Sequence, residues 1–211
     1  MFKQYAKHYE CFNQRKPYKQ EIEAIYDWAG RPNYVLDLGC GTANYWKYFP
    51  TQTRLTGIER SSDMISRSEY KNLILKGDIC RYDYSLFEPF DCVTALFDVV
   101  NYLPDLSWID KLPLKKGKFF IFDVLDPKKE KFKKTTKEIG GLKRTITPIF
   151  RQKGSEVSLQ VSVEEDGKEY QETHNLFLWS KKEIGLAATN FEIVEIKETE
   201  TWNTWYKLRR K

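Results

Sequence analysis

The chain reads Val35-Leu36-Asp37-Leu38-Gly39-Cys40-Gly41-Thr42 where an apolar, strand-like run meets a glycine-rich turn. Gly39 and Gly41 allow tight backbone conformations and let a ligand approach the main chain closely. The segment after Thr42 is predicted to begin a helix, whose first N–H groups have no partner within the helix itself. The sequence therefore predicts a ligand-binding turn between a buried strand and a helix.

The residues around this turn limit the kind of ligand that it binds. A dinucleotide-binding turn usually reads G-x-G-x-x-G, and Asn44 stands where the third glycine would be. Asp37 precedes the first glycine, and its carboxylate would repel a pyrophosphate. The same charge suits a cationic ligand with an ammonium group. The pattern thus favours a cationic ligand over a dinucleotide.

Two more acidic residues follow later predicted strands. Glu59 comes about 20 residues after Asp37, the spacing at which an acidic side chain reaches ribose hydroxyls. Asp78 follows the third predicted strand and suits the exocyclic amine of an adenine, with Ile79 packed on the ring. Open α/β sheets bind ligands at the carboxyl ends of their strands, so these three carboxylates are expected at one edge of the sheet.

Apolar runs alternate with helical segments in the first part of the chain. Helical segments are predicted over residues 18–29 and 43–49, and another begins after Ser61, which suits an N-cap. The predicted strands cover residues 34–38, 55–58, 73–75, 90–97 and 118–125. This alternation favours a parallel sheet with right-handed crossovers.

The later part of the chain is richer in strand signals. Alternating segments are predicted as strands over residues 145–150, 156–164 and 170–179, and Asp166-Gly167 is a hairpin signal. Ser180 and Glu183 form a capping box for a helix through residue 188, and strands follow over residues 191–196 and 204–208. We therefore expect a single domain over residues 1–211, with an inserted antiparallel β layer over residues 140–180.

Composition excludes several classes of protein. A chain of 211 residues with 13 Tyr, 13 Phe and 6 Trp can bury a sizeable core, so disorder is not expected. No apolar run approaches the roughly 20 residues of a membrane span, and residues 1–10 lack the core of a secretory signal, so a cytoplasmic protein is expected. The four cysteines lack the spacing of zinc or disulfide frameworks.

These residues together resemble the class I S-adenosylmethionine-dependent methyltransferases. The matching segments are residues 35–42, 57–59, 61–64, 77–79 and 90–93. The resemblance implies S-adenosyl-L-methionine as cofactor and an α/β fold: a Rossmann-like, doubly wound, mostly parallel sheet with a terminal antiparallel hairpin strand. The cofactor-binding residues that it implies are Tyr18, Asp37, Gly39, Cys40, Gly41, Thr42, Glu59, Arg60, Met64, Gly77, Asp78, Ile79, Leu96 and Phe97. Ala43 departs from the third glycine of many relatives.

Within this class the chain is similar to N-methyltransferases of nucleotide-linked amino sugars. The similarity lies in residues 5–10, Tyr18, residues 95–103 and the β-rich insertion over residues 143–179. It implies a helical lid over residues 1–30, and an insertion that forms a platform over the active site or part of a homodimer contact. Residues 96–99 lack the Asn/Asp-Pro-Pro-Tyr/Phe pattern of base and amide methylation. The acceptor is thus expected to be a small molecule rather than nucleic acid, with no metal required.

Methylation of an amine requires the neutral amine, so a nearby carboxylate or histidine is expected to take its proton. The candidates are Asp98 and Asp123, each near the end of a predicted strand, then His174 in the insertion and Tyr9 in the lid. Asp98 and Asp123 are equally compatible with cap or buried structural roles, and His174 with an ordinary strand residue.

Two alternatives stay open. An O-methyltransferase acting on a sugar or other small hydroxyl compound would need a stronger base, and His174 would then matter more. The formal charge of +5 and the Lys-rich residues 128–137 favour an RNA or protein methyltransferase, or a catalytically silent subunit, if they bind a partner. Phe132 is the sole aromatic residue within that basic run, which gives little support for nucleic-acid stacking.

Overall fold

The computed structural model describes residues 5–14, 16–125, 133–150, 155–198 and 203–211. The α-helices are α1 (Tyr9–Asn13), α2 (Tyr18–Trp28), α3 (Ser62–Ser66) and α4 (Lys181–Ala187). The strands are β1 (Tyr34–Leu38), β2 (Arg54–Glu59), β3 (Ile74–Lys76), β4 (Phe90–Ala95), β5 (Leu114–Leu125), β6 (Thr135–Ile139), β7 (Leu142–Phe150), β8 (Glu156–Glu165), β9 (Lys168–Phe177), β10 (Phe191–Glu198) and β11 (Asn203–Arg210). Part of the basic run 128–137, Phe132 included, lies outside the described residues.

The larger sheet has seven strands in the order β10-β11-β5-β4-β1-β2-β3. β1 pairs in parallel with both β2 and β4, and β4 pairs in parallel with β5. β11 runs antiparallel to β5 on one side and to β10 on the other. The mostly parallel sheet with a terminal antiparallel hairpin strand is therefore confirmed. The carboxyl ends of β1, β2 and β4 meet at one edge, where such sheets bind ligands.

Both faces of this sheet are buried. Successive side chains of a strand point to opposite faces, so Leu36 and Leu38 pack in one apolar cluster while Val35 packs in another. Ile22 of α2 covers the second face, and Phe122 belongs to the first. This two-sided burial explains why the strands read as continuous apolar runs in the sequence.

The second sheet is antiparallel and has the order β6-β7-β8-β9. Asp166 and Gly167 join β8 to β9 with φ angles of 50° and 73°, the left-handed conformations that a two-residue hairpin turn requires. β6 was not predicted, because Thr135–Ile139 is largely exposed and lacks an apolar alternation. The N-terminal segment packs on this sheet through Tyr5 and Phe12.

The predicted helices are partly confirmed. α2 ends within one residue of the prediction, and Ser61 caps α3 by accepting a hydrogen bond from the Met64 N–H at 3.3 Å. The capping box of Ser180 and Glu183 is present at α4. The segment predicted as a helix after the glycine turn is a short 3-10 helix, Asn44–Tyr48. No helix among the described residues is both long and apolar enough to cross a bilayer.

Candidate active site

A cavity of about 400 Å³ lies at the carboxyl edge of the larger sheet. Most of the residues predicted to bind a ligand line it. Those are Tyr9, Tyr18, Gly39, Cys40, Gly41, Thr42, Glu59, Arg60, Met64, Gly77, Asp78, Ile79, Leu96 and Phe97. Four other candidates, Asp37, Asp98, Asp123 and His174, are not part of the lining formed by the described residues. The lining residues can contact a bound ligand directly, whereas these four residues lie outside the lining.

The glycine turn forms one wall of the cavity. Gly39 and Gly41 have φ angles of 65° and 59°, which side chains rarely adopt. A Cβ atom on Gly39 would come within 2.6 Å of Val99, whereas one on Gly41 would meet no described atom within 4 Å. Gly39 is thus required by packing, and Gly41 leaves space beside the main chain for a ligand. Ala43, two residues after Gly41, also has a left-handed φ of 54°.

Asp37 lies behind this turn and not in the cavity. Its Oδ2 accepts hydrogen bonds from the Tyr45 hydroxyl and the Trp46 indole at 2.6 Å each, and Oδ1 accepts one from Thr94 at 2.8 Å. Burial raises the pKa of Asp37 to about 6, while these three donors oppose that rise. The prediction that Asp37 meets a cationic ligand stays a prediction, and its carboxylate lies outside the cavity lining formed by the described residues. Its carboxylate holds the 3-10 helix Asn44–Tyr48 against the sheet.

Glu59 is half-buried at the end of β2 and faces the cavity. Its Oε2 accepts a hydrogen bond from the Gly41 N–H at 3.0 Å, and its Oε1 accepts one from the Ser61 N–H at 2.7 Å. Burial raises the pKa of Glu59, and these backbone donors oppose the rise. Each carboxylate oxygen keeps further acceptor capacity for a ligand hydroxyl. Glu59 thus links the glycine turn to the start of α3.

Asp78 marks the more exposed end of the cavity. Its Oδ1 accepts a hydrogen bond from the Cys80 N–H at 3.0 Å, which fixes the side chain in a local turn. Its Oδ2 lies 3.4 Å from the Arg60 guanidinium. Ile79 beside it is buried and lines the same end. A planar, amine-bearing group fits between an acceptor and an apolar surface of this kind.

Glu10 of α1 is a lining residue that sequence reasoning missed. Its two carboxylate oxygens accept hydrogen bonds from the Thr42 hydroxyl and from the Asn44 side-chain amide. It therefore places a carboxylate beside the glycine turn, where the sequence predicts that of Asp37. The signal in the sequence is weak, since a single acidic residue in a Tyr-rich segment has no spacing that assigns it to the turn.

Asp98 and Asp123 form a pair of carboxylates next to the cavity, of which Asp123 is buried and Asp98 is half-buried. Asp123 accepts hydrogen bonds from the N–H groups of Phe97 at 2.7 Å and Asp98 at 3.2 Å, and Asn203 donates to both carboxylates. Burial raises the pKa of Asp98 and, well above the usual value, that of Asp123. The pair holds the turn after β4, where Phe97 and Asp98 have φ angles of 66° and 64°. That turn presents Leu96 and Phe97 to the cavity.

His174 does not line the cavity but contacts a residue that does. Its Nδ1 is 3.3 Å from the hydroxyl of Tyr102, which does line the cavity, and its Nε2 is 3.3 Å from Glu172. The ring is buried, with 3% of its surface exposed. Tyr9 is the one proton-accepting candidate that lines the cavity, and burial raises its pKa well above the usual value. The described residues include no group of three or more His, Cys, Asp and Glu side chains arranged to hold a metal ion.

Comparison of the sequence with known proteins gives no matching family model and no matching curated protein. Comparison of the structure does give matches. An S-adenosylmethionine-dependent methyltransferase from Clostridium acetobutylicum superposes with a TM-score of 0.78 and 18% identity, over 96% of each chain. CalS10, a SAM-bound amino pentose methyltransferase from Micromonospora echinaspora, gives 0.79 and 19%, over 100% of this chain and 98% of the other.

A third similar structure is the sugar N-methyltransferase KedS8 from a Streptoalloteichus species. It superposes with a TM-score of 0.74 and 16% identity, over 96% of this chain and 93% of the other. The alignments cover nearly the whole of each chain, so the likeness is not confined to one of the two sheets. At this level of identity the likeness establishes the fold.

Proposed function

We propose that this chain, which has the fold of S-adenosylmethionine-dependent methyltransferases, is itself an enzyme of that class and methylates an amine on a small molecule. The observation that supports this most strongly is the cavity at the carboxyl edge of the sheet. Gly41, Glu59 and Asp78 line it in chain order, each after a successive strand. An adenosyl ligand needs close backbone approach, an acceptor for its ribose and an acceptor for its adenine amine.

The lining residues fit S-adenosylmethionine. Glu59 has acceptor capacity for the ribose hydroxyls, and Asp78 with Ile79 suits the adenine. Glu10 puts a carboxylate beside the glycine turn, where it would favour the ammonium group of the methionine end. The cavity of about 400 Å³ is within the range of small-molecule sites. The other residues predicted to bind the cofactor are proposed to pack around it.

The chain's own contribution to the reaction is alignment and exclusion of water. Bound S-adenosylmethionine supplies a methyl group on a sulfonium, which leaves as a neutral thioether. Tyr18, Tyr45 and Phe97 form an aromatic cluster at the cavity wall, with ring centroids 5.0 to 6.0 Å apart. Lys16 lies over the Phe97 ring at 4.7 Å from its centroid. This cluster would shield the reacting atoms from solvent.

An amine acceptor is favoured over a hydroxyl by the arrangement of bases. A hydroxyl needs a strong base in direct contact as it attacks, whereas the Asp98–Asp123 pair lies outside the described lining and His174 reaches the cavity only through the Tyr102 hydroxyl. A neutral amine is already nucleophilic and needs a proton acceptor after it attacks. The names of CalS10 and KedS8, an amino pentose methyltransferase and a sugar N-methyltransferase, support an amino sugar as the acceptor.

The proposal also covers the cellular location of the protein, its lid and insertion, and its oligomeric state. A cytoplasmic location agrees with the four free cysteines, which suit a reducing compartment. We retain the N-terminal lid over residues 1–30, the insertion over residues 140–180 and a homodimer as proposals. Nucleic acid is not the acceptor in this scheme.

The first experiment measures transfer of labelled methyl groups to matched acceptors. Glucosamine is compared with glucose, and uridine diphosphate-glucosamine with uridine diphosphate-glucose, since each pair differs in an amine against a hydroxyl. We expect methylation of an amine and none of its hydroxyl partner. Methylation of the hydroxyl partners would overturn the amine assignment. Binding to RNA with a steep salt dependence, and no transfer to any small acceptor, would favour the alternative of an RNA methyltransferase.

Gly41→Ala is expected to weaken S-adenosylmethionine binding at least tenfold, because the added methyl group enters the cavity beside the main chain. Gly140→Ala is the matched control. Gly140 has a φ of 57°, also with open space for a Cβ, but lies in the turn between β6 and β7. Both variants carry about 1 kcal/mol of left-handed strain, so their melting temperatures should fall similarly. Calorimetric titration separates them, and equal affinities would argue against a ligand at Gly41.

A further inference from the structure

A chain of side chains runs from the cavity into the second sheet. Tyr102 ends the 3-10 helix Val99–Tyr102 and lines the cavity. Its hydroxyl lies 3.3 Å from Nδ1 of His174, and Nε2 of the same ring lies 3.3 Å from Glu172 Oε2. The other oxygen of Glu172 accepts the Tyr5 N–H at 2.9 Å, so the carboxylate is held from two sides. Tyr102 follows β4 of the larger sheet, whereas His174 and Glu172 belong to β9 of the second sheet.

We assign the tautomer of His174 from the chemistry of its two hydrogen-bond partners. Glu172 is an acceptor, so Nε2 of a neutral His174 carries the proton and donates it. Nδ1 is then an acceptor, and the Tyr102 hydroxyl donates to it. This is the arrangement in which a carboxylate fixes a histidine tautomer and the histidine activates a hydroxyl at a reaction site.

We propose that Tyr102, His174 and Glu172 form a proton relay that removes the proton from the methylated amine, an inference that rests on the proposed function. The bond between the amine nitrogen and the methyl carbon forms as the methyl–sulfur bond breaks, and that electron pair stays on sulfur. The amine proton passes to Tyr102 Oη while the Tyr102 proton passes to His174 Nδ1. His174 becomes an imidazolium, which the Glu172 carboxylate stabilises. Charge and protons balance without another reactant.

The ionisation of these groups agrees with the relay. Burial raises the pKa of Tyr102, so it stays a phenol that can pass a proton on. Burial lowers the pKa of His174 below its usual 6.5, and Glu172 opposes the fall, so the ring is neutral at pH 7.5 and can accept. Tyr5 faces the ring from the N-terminal segment, with its own pKa raised by burial. The two distances of 3.3 Å are at the long end for hydrogen bonds, and the relay requires both to shorten during proton transfer.

The first test is made on the protein alone and needs no methyl acceptor. The chain has two histidines, so the signals of their imidazole rings can be assigned with a single variant. Nitrogen-15 NMR of the imidazole rings, assigned with His8→Gln, reports tautomer and pKa. At pH 7.5 we expect His174 to be neutral with the proton on Nε2. In Glu172→Gln the tautomer preference weakens and the pKa of His174 falls further, since the anion that favours the imidazolium is gone. A charged His174 at pH 7.5, or a proton on Nδ1, overturns the relay.

The second test is kinetic and uses the better of glucosamine and uridine diphosphate-glucosamine as acceptor. Tyr102→Phe and His174→Gln should lower kcat about 100-fold, the scale of one acid–base step. The Kd for S-adenosylmethionine should change less than threefold. The acidic limb of the kcat profile should follow His174 and move to lower pH in Glu172→Gln. A loss of cofactor affinity as large as the loss of kcat would make Tyr102 a packing residue and overturn the relay.

The two tests separate failure of the relay from failure of the proposed function. If the wild-type protein bound no S-adenosylmethionine, the proposed function would fail, while the NMR result would still decide the state of His174. If the wild-type protein methylated the amine and His174→Gln did so equally fast, the proposed function would stand and the relay would be wrong.

Discussion

Asp37→Ala is expected to lower the free energy of unfolding by about 3 kcal/mol or more, because each buried donor left without its acceptor costs about 1–3 kcal/mol. Three donors depend on this carboxylate, from Tyr45, Trp46 and Thr94. For a chain of this size the melting temperature should fall by about 6–12 °C. Chemical and thermal denaturation of the purified variant measure both quantities.

The control for Asp37→Ala is a substitution at an exposed aspartate, Asp27→Ala. Asp27 is exposed and its carboxylate contacts Arg31, which lies just beyond the end of α2, so Asp27→Ala should change the free energy of unfolding by less than about 0.5 kcal/mol. Cofactor affinity is expected to fall in Asp37→Ala as a consequence of the loosened turn. A variant as stable as the wild type that nonetheless lost the cofactor would mean that Asp37 contacts the ligand directly.

The pKa of Asp37 adds a dependence on pH. Because the folded value is about 6 and the usual value is 3.8, the folded protein holds a proton between those pH values that the unfolded chain has lost. The part of the stability that comes from this extra bound proton therefore falls as pH rises from about 4 to 6 and is lost above that range, while the hydrogen bonds to the carboxylate remain. The difference in unfolding free energy between wild type and Asp37→Ala should be larger at pH 5 than at pH 7.5.

The parallel sheet was predictable because its strands are buried on both faces. Leu36 and Val35 are both buried although they point in opposite directions, so the run is apolar without alternation. The hairpin at Asp166 and Gly167 was predictable for another reason, since few residues adopt two successive left-handed conformations. β6 was not predictable, because its pairing with β7 is made by the backbone while its side chains are polar and largely exposed.

The site shows where local pattern stops being informative. Spacing placed Gly41, Glu59 and Asp78 at the cavity, since the ends of parallel strands meet at one edge. Whether a carboxylate at that edge faces the ligand or the core depends on its neighbours. Asp37 turns inward because Tyr45 and Trp46 offer it donors, which are tertiary contacts. Glu10 reaches the turn from a distant part of the chain, so no local spacing reveals it.

The predicted proton acceptors illustrate the same limit. Asp98 follows β4 and Asp123 lies near the end of β5, yet Asn203 and the backbone of the turn after β4 occupy their oxygens. His174 comes near the cavity because β9 packs against the 3-10 helix Val99–Tyr102, a long-range contact that no periodicity encodes. A residue type that suits acid–base chemistry therefore becomes a site residue only through these long-range contacts.

Glu59→Ala is expected to weaken S-adenosylmethionine binding about 100-fold or more, since each hydrogen bond from a ligand hydroxyl to a carboxylate contributes about 1.5–3 kcal/mol and a ribose offers two. Glu59 faces the cavity while already accepting the N–H groups of Gly41 and Ser61. Its loss also frees the glycine turn from α3, which adds to the effect. Calorimetric titration with S-adenosylmethionine and S-adenosylhomocysteine measures it.

The Glu59 variant differs from Asp37→Ala in what it leaves intact. Glu59 is half-buried, so water can reach the two N–H groups when the carboxylate is removed, and the unfolding free energy should fall by about 1 kcal/mol only. Glu88→Ala, at an exposed glutamate outside the cavity lining, is the matched control and should bind as the wild type does. Glu59→Gln keeps one acceptor oxygen, so its affinity for S-adenosylmethionine should lie between those of Glu59→Ala and the wild type. If Glu59→Ala bound S-adenosylmethionine with wild-type affinity, the ribose would not contact Glu59 as proposed. Among the described lining residues, no second carboxylate stands at the end of β2 to take its place.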